Sequence, residues 1–314
     1  MTHGEMESLK VTEAALKDAG FAVSERCCSR PSCFDFAARK TDNLVLIKVE
    51  PVVDSFSQSD SSELTVISEC VSAASLLITE KTREKPLEDD TVYLRYNVSA
   101  VTPKTFENIV INKTNPLIQA GPGGYYVEID CETIKRRRQE LGFSVGEMAK
   151  MIGISRRTLY GYERGMAKAS VAAAYNLIWA LGVPVAKPVN VFEKWKSQRK
   201  CIFTKAKHVI ARHRFLRRIL RKLAGCRITT VKRAPFDFVI NVPEEKMRII
   251  GGVADIKEKG LDRRVDEIVS VSKIVKAHPL LVTERQELAN RDIPCISSEK
   301  FSKIKDPEDL ISNV

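Results

Sequence analysis

Long apolar runs are missing from this chain. No stretch of about 18 apolar residues occurs in its 314 residues, which excludes a membrane-spanning helix. The first residues lack a basic start followed by an apolar run, so no secretory signal is expected. Histidine is scarce, with four in all; His208 and His213 stand five apart, a spacing that does not stack them on one helix face. No cysteine stands at ligand spacing from them, so no metal site is expected. The eight cysteines form no repeated CxxC units and read as reduced intracellular thiols. Gly121-Pro-Gly-Gly124 is glycine-rich but lacks the Lys-Ser/Thr of a phosphate loop, so it reads as a turn. No cofactor is expected.

Positive charge is present in excess and unevenly placed. The formal net charge is +11. It divides into −5 over 1–115, −1 over 116–129, +4 over 130–182, +15 over 183–233 and −2 over 234–314. Acidic ends around a basic middle point to a polyanionic partner. The stretch Lys194–Lys222 interleaves Trp195, Phe203 and Phe215 with its cations. It reads as a linker passing into a helix, with nonspecific phosphate contacts through residues such as Lys205, Lys207, Arg212 and Arg214.

The two ends repeat each other. Phe34-Asp35-Phe36 recurs as Phe236-Asp237-Phe238, and Leu76–Lys81 recurs as Leu280–Arg285 in the same order. Thr105–Ile109 recurs loosely as Lys300–Ile304. A duplicated α/β domain is the expectation, with an extra polar segment near Arg83–Thr91 in the first copy. Copy one predicts a helix over 6–19, strands at 21–24, 33–39 and 43–49, a helix over 60–74, strands at 76–79 and 98–102, and a helix from Pro103. Copy two predicts matching elements at 208–224, 227–232, 236–241, 247–253, 262–277, 280–283 and 293–297. Between the copies, 117–120 and 125–129 flank the Gly121–Gly124 turn as a hairpin.

Residues 130–182 carry the most specific pattern. Asp130 caps a helix over 133–141 that Gly142 ends. Ser144 with Glu147 reads as a capping box. Met148, Ala149 and Ile152 share a face, Gly153 turns the chain, Ile154 plugs the turn, and Ser155 caps the next helix. Leu159 and Tyr162 point inward from that helix, and a last helix covers 171–181. Helix, glycine turn and helix make a helix-turn-helix.

This block resembles the phage-repressor, Xre/Cro-like family of helix-turn-helix domains. The matching text is Arg138-x-x-Leu-Gly-Phe-Ser144, Glu147-Met-Ala-x-x-Ile-Gly-Ile-Ser-Arg-Arg-Thr-Leu159 and Tyr162-Glu-Arg-Gly165. The whole chain resembles archaeal proteins classed as Xre-type transcriptional regulators. The resemblance implies that the helix over 155–164 enters the major groove of duplex DNA. Arg156 and Arg157 are then the base readers, and Tyr160 reaches base or phosphate. Ser144, Ser155, Thr158 and Arg164 suit phosphate contacts. Arg138 and Glu163 match a structural ion pair of the family. Two departures matter: Val145 stands where a glutamine is frequent, and Gly161 stands where a further reader is frequent. The family also implies a homodimer and a cytoplasmic, nucleoid-associated protein.

The expected architecture is multidomain, α/β plus all-α, with duplicated α/β domains flanking a central helical domain. The expected boundaries are 1–115, a hairpin linker 116–129, helix-turn-helix 130–185 with its motif at 145–164, a basic linker 186–207, and 208–314. The strand order and Phe-Asp-Phe motif of the flanking copies resemble the restriction-endonuclease-like fold. That resemblance raises the rival reading of a metal-dependent nuclease; an RNA-binding or adaptor protein is a further alternative. Such nucleases need an Asp, then an acid-x-Lys triplet on the next strand. Asp35 and Lys48 fit, but the acid position is Leu46; Asp237 has neither acid nor Lys on Met247–Val253. These residues read as vestigial, so no catalysis is expected.

Overall fold

A computed structural model describes residues 3–193, 227–242, 247–254, 258–283, 293–297 and 300. The basic stretch Lys194–Lys222 and the helix expected over 208–224 lie outside the described residues, as does the loose repeat after Lys300. The protein is mixed α/β, and its chain divides into two compact units. One comprises 1–15, 50–54 and 78–191, the other 16–49, 55–77 and 192–314. Among the described residues no helix is long and apolar enough to cross a membrane.

In the first unit, β5 (Thr91–Arg95) and β6 (Val98–Val101) form a tight hairpin. Its turn places Tyr96 and Asn97 at positive φ, the geometry of a two-residue primed turn. α3 (Pro103–Val110) follows, with the Thr102 hydroxyl accepting from the Thr105 amide and Pro103 at the first helical position. Then come β7 (Ile118–Gly121) and β8 (Gly124–Val127). Strand order here is β6-β5-β7-β8-β9, where β9 is Ala169–Ser170. The sequence reading missed β5 although Thr91-Val-Tyr-Leu-Arg95 is β-prone, because it directly follows the polar segment near Arg83–Thr91 and its register is set by pairing with β6 and β7. The hairpin expected as a linker pairs with β9 and buries Val127 in the core of the helical region.

That core gathers Ile134 of α4 (Cys131–Glu140), Met148, Ala149 and Ile152 of α5 (Val145–Ile152), and Leu159 and Tyr162 of α6 (Arg156–Glu163). Ala173, Ala174, Leu177 and Leu181 of α7 (Val171–Leu181) close it. Each of these side chains falls on the apolar stripe that 3.6-residue periodicity dictates.

The second unit holds two sets of strands. One is β1 (Ala22–Val23), β2 (Phe36–Lys40), β3 (Asn43–Val49) and β4 (Ala74–Ile78), in that order. The other is β10 (Arg227–Thr230), β11 (Phe238–Val242), β12 (Met247–Ala254), β13 (His278–Thr283) and β14 (Cys295–Ser297), also in order. β10, β11 and β12 run antiparallel, and β12, β13 and β14 parallel. Helix α2 (Gln58–Val71) starts at a Ser57–Asp60 capping box and stops at Ser72 in the left-handed region. Helix α8 (Leu261–Val275) stops the same way at Lys276, and both residues have φ 57°. The helix expected over 60–74 is therefore shorter at its end, since the αL stop frees Ala74 to begin β4. The segment 33–35 is not strand either; pairing begins at Phe36.

The two sets make matching contacts. The Asp35 amide donates to Ile47 O (2.7 Å), and the Asp237 amide to Gly251 O (2.8 Å). The Val49 amide donates to Asp35 Oδ2 (2.9 Å), and the Val253 amide to Asp237 Oδ2 (2.7 Å). Contacts between the sets are reciprocal as well. Glu63 of α2 accepts from the amides of Lys232 and Arg233 (3.0 and 2.7 Å). Glu267 of α8 accepts from those of Cys28 and Ser29 (3.0 and 2.8 Å). The Phe34 and Phe236 rings meet with centroids 6.3 Å apart. The six described cysteines are free thiols, and burial pushes those of Cys27 and Cys33 up.

Candidate nucleic-acid interface

The helical region is built from local signals that agree. The Ser144 hydroxyl accepts from the Glu147 amide (3.2 Å), and Glu147 Oε2 accepts from the Ser144 amide (2.8 Å). These bonds hold the Glu147 carboxyl below its ordinary value. Gly153 ends α5 at φ 77°, a conformation that costs a residue with a Cβ. The Ser155 hydroxyl then accepts from the Thr158 amide (3.0 Å) and meets the Thr158 hydroxyl (2.8 Å). Ser144 and Ser155 are thus N-caps first, and their exposed oxygens lie at the starts of α5 and α6.

Arg138 of α4 and Glu163 of α6 form a fork. Arg138 Nε donates to Oε1 at 2.5 Å, and a terminal nitrogen donates to Oε2 at 3.0 Å. Arg138 also donates to Phe143 O (2.7 Å), so the pair fixes the chain entering the motif as well as the two helices. The bonds to Glu163 raise the guanidinium above its ordinary value. Both residues are buried, and removing one partner of such a pair would strand a charge.

Opposite the buried Leu159 and Tyr162, α6 leaves Arg156, Arg157 and Tyr160 exposed. Neither Arg156 nor Arg157 has an acidic partner among the described residues. Arg156 lies across Gly146 of α5, its Nε 3.4 Å from where a Cβ would sit. Arg164 is placed differently from the other cations, its guanidinium stacked on the Tyr160 ring at 4.5 Å.

The two nuclease-like carboxylates are not alike. Asp35 is buried, and Lys48 Nζ approaches it at 3.3 Å. Burial, the larger effect, raises the Asp35 carboxyl, while Lys48 and the Val49 amide pull it down. The acid position of the triplet is Leu46, buried on β3. Asp237 is held by two guanidiniums, Arg264 at 2.5 Å and Arg30 at 2.8 Å. Arg264 also pairs with Glu258 (2.9 Å) and donates to Pro235 O and Val253 O. Asp35 faces Lys48 with Leu46 at the acid position, and at the second place the carboxylates of Asp237 and Glu258 are both engaged by the guanidiniums of Arg30 and Arg264, an arrangement that opposes a hard cation. Among the described residues no group of three or more His, Cys, Asp or Glu is placed to hold a metal ion.

The sequence reading missed the Arg30–Asp237–Glu258–Arg264 cluster. A signal was present: Arg264 falls on the apolar stripe Leu261, Val265, Ile268 and Val271 of α8, where a cation needs a buried partner.

Comparison with known proteins finds two family matches within the chain. Residues 5–116 match the model of the PD-(D/E)XK superfamily domain, and residues 134–187 match that of a helix-turn-helix. A candidate HTH-type transcriptional regulatory protein of Methanocella arvoryzae is 32% identical over 301 residues, 95% of this chain and 92% of that one. One of Methanocaldococcus jannaschii is 31% identical over 287 residues, 90% of this chain and 88% of that one. One of Pyrococcus furiosus is 29% identical over 302 residues, 96% and 94% of the two chains. A helix-turn-helix joined to a PD-(D/E)XK-like region defines the class. The chain belongs to this family of archaeal HTH-type transcriptional regulatory proteins.

Proposed function

We propose that the protein reads a DNA duplex with α6 in the major groove, as a sequence-specific regulator of transcription. The observation that carries this reading is the pair Arg156 and Arg157, exposed on the first turn of α6 with no acidic partner described for either. A guanidinium fork matches guanine O6 and N7, for roughly 1–3 kcal/mol of discrimination per pair. Ser144, Ser155 and Thr158 would take phosphates at the two helix starts, where the amides and dipole favour an anion. Arg164, stacked on Tyr160, would bring that ring and a charge to the backbone together. Selection of bound sequences from a random duplex library tests the assignment. Arg156→Ala and Arg157→Ala should each relax the preferred sequence; wild-type preference in both variants would mean that α6 is not the reader.

The active form is proposed to be a homodimer on two half-sites. α7 has no charged residue, yet Tyr175 is 69% and Trp179 76% exposed. A helix that is apolar all round belongs in an interior, and an uncharged aromatic face does not repel its own copy. A monomer in sedimentation at micromolar concentration would remove this part of the reading.

The flanking α/β regions, 1–115 and 208–314, are proposed to be duplicated copies that pair within one chain. Reciprocal Glu63 and Glu267 contacts support this, because mutual exchange is the signature of a two-fold interface. Their role is proposed to be assembly and sensing without cleavage. The rival nuclease reading is favoured by the PD-(D/E)XK match over 5–116 and opposed by Leu46 and the guanidiniums on Asp237. Plasmid nicking in Mg²⁺ or Mn²⁺ that disappears in Asp35→Ala would establish the rival.

A further inference from the structure

The two copies differ in one stretch. Sixteen residues, 82–97, separate the Leu76–Lys81 block from β6 at Val98; nine, 286–294, separate its counterpart from β14 at Cys295. The longer stretch walls a cavity of about 260 Å³ in the first unit. That is below the roughly 300–1,000 Å³ of drug-sized sites, so it suits a small metabolite.

The cavity carries charges of both signs, Lys85 and Arg95 against Asp54 and Glu88. They are poorly matched to one another. Arg95 reaches Asp54 only at 3.5 Å, too long for a strong bond. Its Nε is buried without a hydrogen-bond partner, and its guanidinium is held in place by stacking on Tyr96 at 4.4 Å. Lys85 and Glu88 have no ion-pair partner among the described residues. A buried donor left unmet costs about 1–3 kcal/mol, which an incoming acceptor would relieve. Val53, Leu87 and Leu94 add apolar lining.

Two tyrosines close one side. Tyr93 and Tyr125 share a hydrogen bond, and Tyr93 Oη accepts from the Glu88 amide at 2.9 Å. Burial pushes the Tyr93 hydroxyl up to about 12, so it stays a neutral donor and acceptor. Tyr125 lies on β8, whose neighbour β9 leads directly into α7.

We propose that this cavity binds a free amino acid with an apolar side chain, its carboxylate on Arg95 and Lys85, its ammonium toward Asp54 and Glu88, and its side chain against Leu87 and Leu94. A simple anion would meet two carboxylates and a simple cation two basic groups; only a zwitterion answers both.

Titration calorimetry on the full chain without DNA tests the site independently of the DNA reading. The probes are L-leucine and L-phenylalanine, with isovalerate and isoamylamine as anion-only and cation-only halves of leucine. At least one amino acid should bind, and each half should bind at least tenfold more weakly than leucine. Arg95→Gln should weaken binding at least tenfold. Leu94→Arg, at an exposed position on the rim, should abolish binding without lowering the melting temperature of the free protein. No binding by either amino acid would overturn the proposal. So would isovalerate binding as tightly as leucine, or wild-type affinity in the folded Leu94→Arg variant.

Discussion

Asp35 and Asp237 hold the same place in two strand sets, each accepting from the amide that follows the neighbouring strand position, Val49 or Val253. The cations facing them come from different sources. Asp35 takes Lys48 from its own strand pair. The position matching Lys48 is Gly252, and the space it leaves is filled from α8 by Ile268 and Arg264, 2.9 and 3.2 Å from where a Cβ would sit. Arg30, from the other set, adds a second guanidinium. Without a strand lysine, the Asp237 carboxylate is still met by cations. The compensation comes from a helix and from the other set, so the second site ties the two sets together.

The largest effect should come from removing Arg264. Its guanidinium serves Asp237, Glu258 and two carbonyls from a fully buried position. Arg264→Met should lower stability by about 3–5 kcal/mol in urea unfolding, the range for stranding a buried partner. Adding Gly252→Lys should not recover this loss, because a Cβ at 252 would lie 2.9 Å from the buried Ile268 Cδ1. A loss below about 1 kcal/mol in Arg264→Met would mean that Arg30 alone suffices, and the contrast between the sites would fall.

A second difference is steric. Phe36 sits opposite Ile47 in the β2–β3 register, but Phe238 sits opposite Gly251 in β11–β12. A Cβ at Gly251 would lie 2.0 Å from the Phe238 ring. Gly251→Ala should cost about 1–3 kcal/mol through overpacking. Phe238→Leu should relieve part of that cost in the double variant, because contacting residues are not additive. Strict additivity in urea unfolding would show that the ring does not depend on the glycine.

How much of this is legible in sequence depends on how far each signal reaches. Ser144–Glu147, Gly153 and Ser155 state their roles within a few residues, and the structure forms caps and turn where those residues stand. Arg138 and Glu163 are 25 residues apart, and they were placed by resemblance to a family and not by any local rule. The strand β5 escaped although its residues are β-prone, because five residues after a polar segment fix no partner and its place is set by β6 and β7. The cluster around Asp237 escaped for a stronger reason: Arg30 and Asp237 are 207 residues apart, and only pairing of the two sets brings them together. The cavity at Arg95 was visible only as an insertion near Arg83–Thr91 whose use the sequence does not state.

The smallest effect is a slope with pH, and it separates the two carboxylates by their surroundings. Burial raises the Asp35 carboxyl above its ordinary value, and Lys48 with the Val49 amide offsets this only in part. A carboxyl raised on folding holds its proton more tightly in the folded chain. Its contribution therefore favours the fold below the ordinary carboxylate range and is lost as pH rises through the folded value. Asp35→Asn keeps an oxygen for the Val49 amide and removes the titration. Relative to the unsubstituted chain, this variant should gain stability as pH rises above the ordinary carboxylate range, read as a shift in the urea midpoint over that window. Asp237→Asn weakens two guanidinium pairs instead and should lower the midpoint at pH 7. If the Asp35→Asn midpoint keeps a constant offset from the unsubstituted chain across that window, Lys48 compensates the buried charge in full. The two sites would then differ in the source of their cations and not in how completely the charge is met.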